Sequence, residues 1–276
     1  MKKGRIGTIA IILVFVAGLS LLLYPTISNY WNSRLQSQVI VDYSDSVSKM
    51  NEALYARLRA EAEIYNRVLA GDKTVGTAGD YNSVLDPAGN GVMGYVEIPS
   101  IGCTLPIAHG TSENVLKDSV GHLDWSSMPV GGVDTHCVIS AHRGLPSAEL
   151  FTNIDQLVLG DRFYIHVLGD KLEYKVDKIS VVEPHDVSTL TIERGRDLVT
   201  LVTCTPYGIN SHRLLVRGTR VDLSGGSDWE RIDLPGEAKP VPTVYPVLIC
   251  MTAMLILTFI VLILRSRKVR KEEEDL

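Results

Sequence analysis

Cys204 closes the run Thr200-Leu201-Val202-Thr203-Cys204, Arg213 follows shortly after it, and His142 lies well upstream. These residue types are a nucleophile, an electrophilic clamp and a proton carrier. A thiol with an ordinary pKa of about 8.5 is only partly thiolate at neutral pH, and a neighbouring imidazole forms the reactive ion pair or relays the proton. A guanidinium is a permanently charged fork, so Arg213 can hydrogen-bond a substrate or stabilise a tetrahedral oxyanion, where a lysine would be a weaker substitute. Thr203, directly before the thiol, offers a hydroxyl or backbone contact to a substrate carbonyl. Brought together, this set points to acyl transfer.

The surrounding elements must do that positioning. Residues 199–203 are β-branched or apolar and run into Pro206 and Gly208, which predicts Cys204 at a strand end where a buried sheet opens to solvent. In His136-Cys137-Val138-Ile139-Ser140-Ala141-His142, strand alternation puts His142 on one face with His136 and Ser140 and turns Cys137 the other way. Cys137 is thus a poor partner for His142. Two neighbouring strands of one sheet would bring Cys204 beside it, a contact the sequence alone does not establish.

Short β runs separated by turns fill the chain from residue 94 to 223 and make it mainly β. The strands are expected at 94–98, 104–107, 135–141, 162–167, 171–180, 198–203 and 213–221, with Leu168-Gly169-Asp170-Lys171 as a tight hairpin connection. Such spacing suggests a barrel or a sandwich. Leu150, Phe151, Ile154 and Leu157 fall at helical spacing and predict a short helix over 147–157. Upstream, residues 32–69 read as helix, with Met50, Leu54, Leu58, Ala62 and Tyr65 on one face and charged residues on the other. That face suits a stalk, a cover on the catalytic domain or a partner-binding surface. Residues 71–79 break the periodicity as a loop.

Both ends of the chain carry apolar stretches of membrane-spanning length, at residues 6–24 and 244–264. Lys2, Lys3 and Arg5 precede the first, and Arg265, Arg267, Lys268, Arg270 and Lys271 follow the second, so the positive-inside rule puts 1–5 and 265–276 in the cytoplasm. The expected order is then an extracellular helical segment and loop at 25–85, a catalytic domain at 86–224 and a linker at 225–243. A net charge of −5, with basic residues clustered only at the membrane flanks, gives no reason to expect nucleic acid. Of four cysteines, Cys250 lies inside the second apolar stretch, which argues against a disulfide framework; a Cys103–Cys137 pair stays open beside the plainer reading of two small buried hydrophobes. Arg143 and Arg217 read as structural or surface residues. His109, His122, His166 and His185 are too scattered for metal-ligand spacing.

With these residues in place, the chain from about residue 91 to 221 resembles the sortases, membrane-bound cysteine transpeptidases of Gram-positive bacteria. The motifs are Gly94-Tyr95-Val96-Glu97-Ile98-Pro99, Leu105-Pro106-Ile107, Ala141-His142-Arg143-Gly144-Leu145-Pro146, and Thr200 to Cys204 with Arg213. The stretch from His142 through Ala148, followed by Leu150-Phe151, and the C-terminal apolar span are most similar to class C, the pilin-polymerising sortases. The resemblance implies an eight-stranded sortase β-barrel with helical insertions, flanked by an N-terminal helical segment and two transmembrane helices. It implies a triad of His142, Cys204 and Arg213, no metal or organic cofactor, and pilin subunits as partners, each with an LPxTG-like sorting signal and an acceptor lysine. One departure concerns the class C lid, an Asp-Pro followed by an aromatic residue. Here Asp86-Pro87 is followed by Ala88 close to the first strand, so a missing or degenerate lid is expected and the 32–69 helix becomes the candidate cover. Rival readings are a housekeeping sortase acting on the cell wall, a hydrolytic membrane-tethered cysteine peptidase and a non-catalytic assembly scaffold.

Overall fold

The computed structural model describes residues 2–221 together with Thr252, Ile256 and Ile260. Alternation of apolar residues builds the sheet: Val96, Ile98, Ile107, Ile139, Ile165, Leu201 and Val216, all fully buried, line one interior. Helices α1 (Lys2–Ser48) and α2 (Glu52–Leu69) precede strands β1 (Val92–Ile98) and β2 (Cys103–His109). A four-residue helix α3 (Glu113–Leu116), β3 (Val120–His122), β4 (Thr135–Ser140), β5 (Arg162–Val167), β6 (Asp170–Val182), β7 (Asp197–Thr205) and β8 (His212–Arg220) follow. The strands close into a barrel in the order β1-β2-β3-β4-β7-β8-β6-β5. Two ladders are parallel, β2–β3 and β4–β7, and the rest are antiparallel. The eight-stranded barrel and the N-terminal helical segment are as expected.

Seven strands fall where alternation predicts them, and β3 is the eighth. Its three residues are too few to show a period. The β5–β6 hairpin turns on Leu168 and Gly169, both at positive φ (50° and 89°), the backbone a two-residue type I′ connection requires. Leucine is held there because its N–H donates to the Tyr43 hydroxyl at 2.8 Å, while Tyr43 itself donates to the Met93 carbonyl at 2.9 Å.

The helix expected over 147–157 does not form. In an α-helix the Phe151 N–H would bond the Ser147 carbonyl. Instead it donates to the His142 carbonyl at 3.2 Å, and the Asn32 side-chain amide of α1 takes the Ser147 carbonyl at 2.6 Å. Leu150 adopts a left-handed φ of 43°, and only a 3₁₀ turn at Ile154–Gln156 survives. The apolar spacing was real, since Leu150, Phe151, Ile154 and Leu157 are all buried; it fills the core without a helix.

The upstream helix is broken into two. Asn51 caps α2, its side chain accepting from the Leu54 N–H at 2.8 Å. The expected face of α2 is the one that packs: Leu58, Ala62 and Tyr65 are buried in the barrel's own cluster, with Met50 and Leu54 against it. Asn66 exchanges two hydrogen bonds with the Met128 backbone, and Arg59 pairs with Asp170 at the β5–β6 turn. α1 is long and apolar enough to cross a membrane by length and composition. The 244–264 span and the 225–243 linker lie outside the described residues, apart from helical backbone at Thr252, Ile256 and Ile260.

Candidate active site

Strand register brings the three chemical groups into one row. β4 and β7 run parallel with Ser140 opposite Val202, and the Ala141 N–H extends the ladder to the Val202 carbonyl at 3.1 Å. Both neighbours of His142 are then tied to both neighbours of Cys204. The Thr203 hydroxyl donates to the Ala141 carbonyl at 2.8 Å, and the Arg143 guanidinium donates to the Thr205 hydroxyl at 3.2 Å. On the other side Cys204 is the direct cross-strand partner of Arg213. The order across the sheet is His142, Cys204, Arg213, with adjacent strands about 4.8 Å apart.

Parity decides which face carries the chemistry. Val199 and Leu201 join Cys137, Ile139 and Ala141 in the barrel interior. Val202 on β7, Val138 on β4 and Leu215 on β8 form a separate cluster on the outer face with Leu190, and Leu123 and Val182 pack on it. Cys204, His142 and Arg213 share the parity of that outer row and are only partly buried. The row is an apolar floor leading to the thiol.

The 183–196 connection between β6 and β7 roofs part of this floor and is fixed by charge. Arg217 and Arg196 both reach Asp177 and Glu193, at 2.5–2.9 Å. Burial pushes the Asp177 carboxyl up, but hydrogen bonds from the two guanidinium groups outweigh it and leave the pKa below the usual range. His136, on the same face, donates from Nδ1 to the Thr191 carbonyl at 2.8 Å and accepts at Nε2 from the Thr200 hydroxyl at 2.8 Å. Burial lowers its pKa, so this imidazole is neutral and structural.

Arg213 has no such commitment. Its Nη1 donates only to the backbone carbonyls of Asn210 and His212, at 3.2 and 3.1 Å, and among the described residues no carboxylate pairs with it. A guanidinium without a counter-ion beside a thiol is placed to receive an anion. Arg143 and Arg217, by contrast, are tied up, Arg143 by Asp155 and Thr205, which agrees with a structural role.

Thr203 corrects one expectation. Its side chain points opposite to Cys204, it is 1% exposed, and its hydroxyl is spent on Ala141. The hydroxyl is committed to the backbone beside His142 and faces away from the thiol, while the backbone contact stays open. No disulfide joins Cys103 to Cys137, and burial pushes the Cys137 thiol far up in pKa, which makes it a poor nucleophile. Gly144 has φ 76°, a backbone conformation that favours glycine, where the loop after His142 passes the exposed Tyr207 ring of the loop after Cys204.

The Asp86-Pro87 segment forms a turn, Asp86 accepting from the N–H groups of Asn90 and Gly91 at 3.0 Å each. Tyr81 anchors the segment, its ring stacked on His122 and its hydroxyl bonded to the His122 ring and the Gly110 N–H. Among the described residues no hydrogen bond or ring contact joins 70–91 to His142, Cys204 or Arg213.

One contributor escaped the sequence reading. Asn29, Asn32, Gln36, Ile40, Tyr43 and Val47 recur three or four residues apart on α1. Ile40 and Tyr43 pack on Val92 and Tyr95, with Val47 against them, while the three amides bond the barrel's loops. The spacing was legible, but half of the stripe is polar and hydrophobic periodicity does not register it.

The chain and its fold have known relatives. A sortase domain family model matches residues 96–221. The crystal structure of sortase C1 from Streptococcus agalactiae is 47% identical with a TM-score of 0.63, covering 67% of this chain and 98% of that one. Clostridium perfringens sortase C, solved with the C-terminal cell wall sorting motif, is 46% identical with a TM-score of 0.60, covering 67% of this chain and 99% of that one. Sortase A of Bacillus anthracis is 28% identical over 221 residues, 80% of this chain and 97% of that protein. The chain therefore belongs to the sortase family, whose members are cysteine transpeptidases, and within it to class C.

Proposed function

We propose that this sortase polymerises pilins, cleaving an LPxTG-like sorting signal and joining the freed carbonyl to a lysine of the next subunit. The observation that carries the reading is the row of His142, just past the end of β4, Cys204 on β7 and Arg213 on β8 at one barrel end, with Arg213 free of any carboxylate among the described residues. The Cys204 sulfur attacks the carbonyl carbon of the signal's threonine, and the oxyanion that forms is met by Arg213. The carbon–nitrogen bond to glycine breaks as His142 gives the leaving amine a proton, leaving a thioester. A lysine ε-amine then attacks the thioester, loses a proton to His142, and the thiolate departs.

The class C relatives at 42–47% identity support the pilin reading over the housekeeping one, since the sortase A relative stands at 28%. In this reading the 6–24 and 244–264 spans hold the chain in the cell membrane with both ends cytoplasmic and the barrel outside. Because 81–91 is occupied by a turn and its Tyr81 anchor, a degenerate lid fits, and control of access falls to substrate recognition. The test is to incubate the full chain in detergent with a sorting peptide, alone and with a pilin bearing an acceptor lysine. Pilin modified at the lysine ε-amine supports the proposal. Hydrolysis alone in both arms would instead make the protein a peptidase, and transfer to a cell-wall peptide amine but not to pilin a housekeeping enzyme.

A further inference from the structure

The loop after His142 is closed at its neck by its own backbone, Phe151 N–H to His142 carbonyl at 3.2 Å, and held at its tip by another element. That element is α1. Asn32 Nδ2 donates to the Ser147 carbonyl at 2.6 Å, and Asn29 Oδ1 accepts from the Glu149 N–H at 2.8 Å. Asn29 Nδ2 also faces Glu149 Oε2 at 3.4 Å, and Glu149 is fixed from the other side by Asn153 at 2.5 Å. Leu150, at its left-handed φ, comes directly after the two clamped residues and directly before the neck. The clamp therefore sits where the backbone is least able to hold its shape unaided.

α1 runs as one helix from Lys2 to Ser48, with Pro25 inside it four residues before Asn29, so the apolar segment read as the membrane anchor leads into the clamp through a single proline turn. Asn29 follows Tyr24 by five residues, about 7.5 Å along the axis. Below the clamp the helix offers lipid-suited side chains; above it, Ile40 and Tyr43 lock the helix to β1. Any tilt or shift of the anchor against the barrel must pass through Asn29 and Asn32.

We propose that Asn29 and Asn32 of the membrane helix are positioning residues for His142, making the anchor a structural part of the active site. The inference rests on the reading of His142 as the proton carrier. Its chemical sense is simple: an imidazole that must receive and return a proton at two successive amines needs one fixed placement against Cys204, and its loop has no helix of its own to supply it.

The test uses the full chain in lipid nanodiscs with a sorting peptide and an amine acceptor. Asn29→Leu/Asn32→Leu removes both amides while keeping helix propensity. It is expected to lower kcat about tenfold with KM within about twofold and the melting temperature unchanged. Asn29→Asp sets a carboxylate against Glu149 and is expected to lower kcat about threefold; adding Glu149→Gln restores a donor–acceptor pair and the rate. Wild-type kcat in the double leucine variant, or a loss shared by kcat, KM and melting temperature that the charge pair does not rescue, overturns the proposal. His142→Ala separates the two claims. If it keeps activity, the reading of His142 fails; if it is inactive while the asparagine variants are normal, only the clamp is wrong.

Discussion

Cys137 and Cys204 lie on neighbouring strands of the same parallel pair and face opposite ways. Cys137 is 3% exposed among Ile139, Val199 and other apolar side chains, and its thiol is pushed far up in pKa by burial. Cys204 stands half-buried at the end of β7, paired with Arg213, and its two neighbours are tied to the residues on either side of His142. The same functional group is packing on one face and, in the proposed reading, a nucleophile on the other. Strand parity and the strand end make the difference, since the thiolate needs access and electropositive company.

The largest effect should separate the two thiols. Cys204→Ala is expected to reduce transpeptidation by more than about 10³-fold, while Cys137→Ala keeps kcat/KM within about twofold and costs about 1 kcal/mol in urea unfolding. Equal losses in the two variants would erase the distinction. Next comes the outer row: Arg213→Ala is expected to cost about 10²–10³-fold in kcat, and Arg213→Lys less, because the charge stays and the fork is lost. Thr203→Val probes whether an inward residue serves the outward site. Loss of its bond to the Ala141 carbonyl should destabilise the fold by about 1–2 kcal/mol and lower kcat severalfold with KM unchanged.

The smallest effect is on pH dependence in the interior. His122 is fully buried, donates from Nε2 to the Ser127 carbonyl at 2.8 Å, and burial lowers its pKa to about 4. Its folded pKa lies below its unfolded value, so the unfolded chain binds the extra proton and stability falls with falling pH. The loss begins near pH 6.5 and levels off near pH 4. His136 is shifted the same way by burial and adds to it. Urea midpoints measured from pH 7.5 to 4.5 should decline across this window, and His122→Gln should flatten the decline.

Much of the fold was readable because half-buried strands write their alternation into the chain; seven of the barrel strands showed it and three-residue β3 did not. The proposed triad rests on a related pattern, since parity sets Cys137 on the opposite face from His142 and leaves Cys204 as its candidate partner. The same parity argument, carried one residue back from Cys204, would have turned Thr203 inward. Residues 147–157 misled because their spacing was helical while the Ser147 carbonyl and the Phe151 N–H were already engaged by Asn32 and His142. Such diversions depend on contacts with distant elements that no local pattern records.

The most direct measurement is the mass of the acyl-enzyme. The full chain, mixed with a sorting peptide without an amine acceptor, is quenched in acid within seconds and mapped by proteolysis and mass spectrometry. A thioester adduct ending in the signal's threonine is expected on Cys204 in the wild type and in Cys137→Ala, and not in Cys204→Ala. An adduct on Cys103 or Cys137, or turnover in Cys204→Ala, would contradict the assignment of Cys204 as the nucleophile.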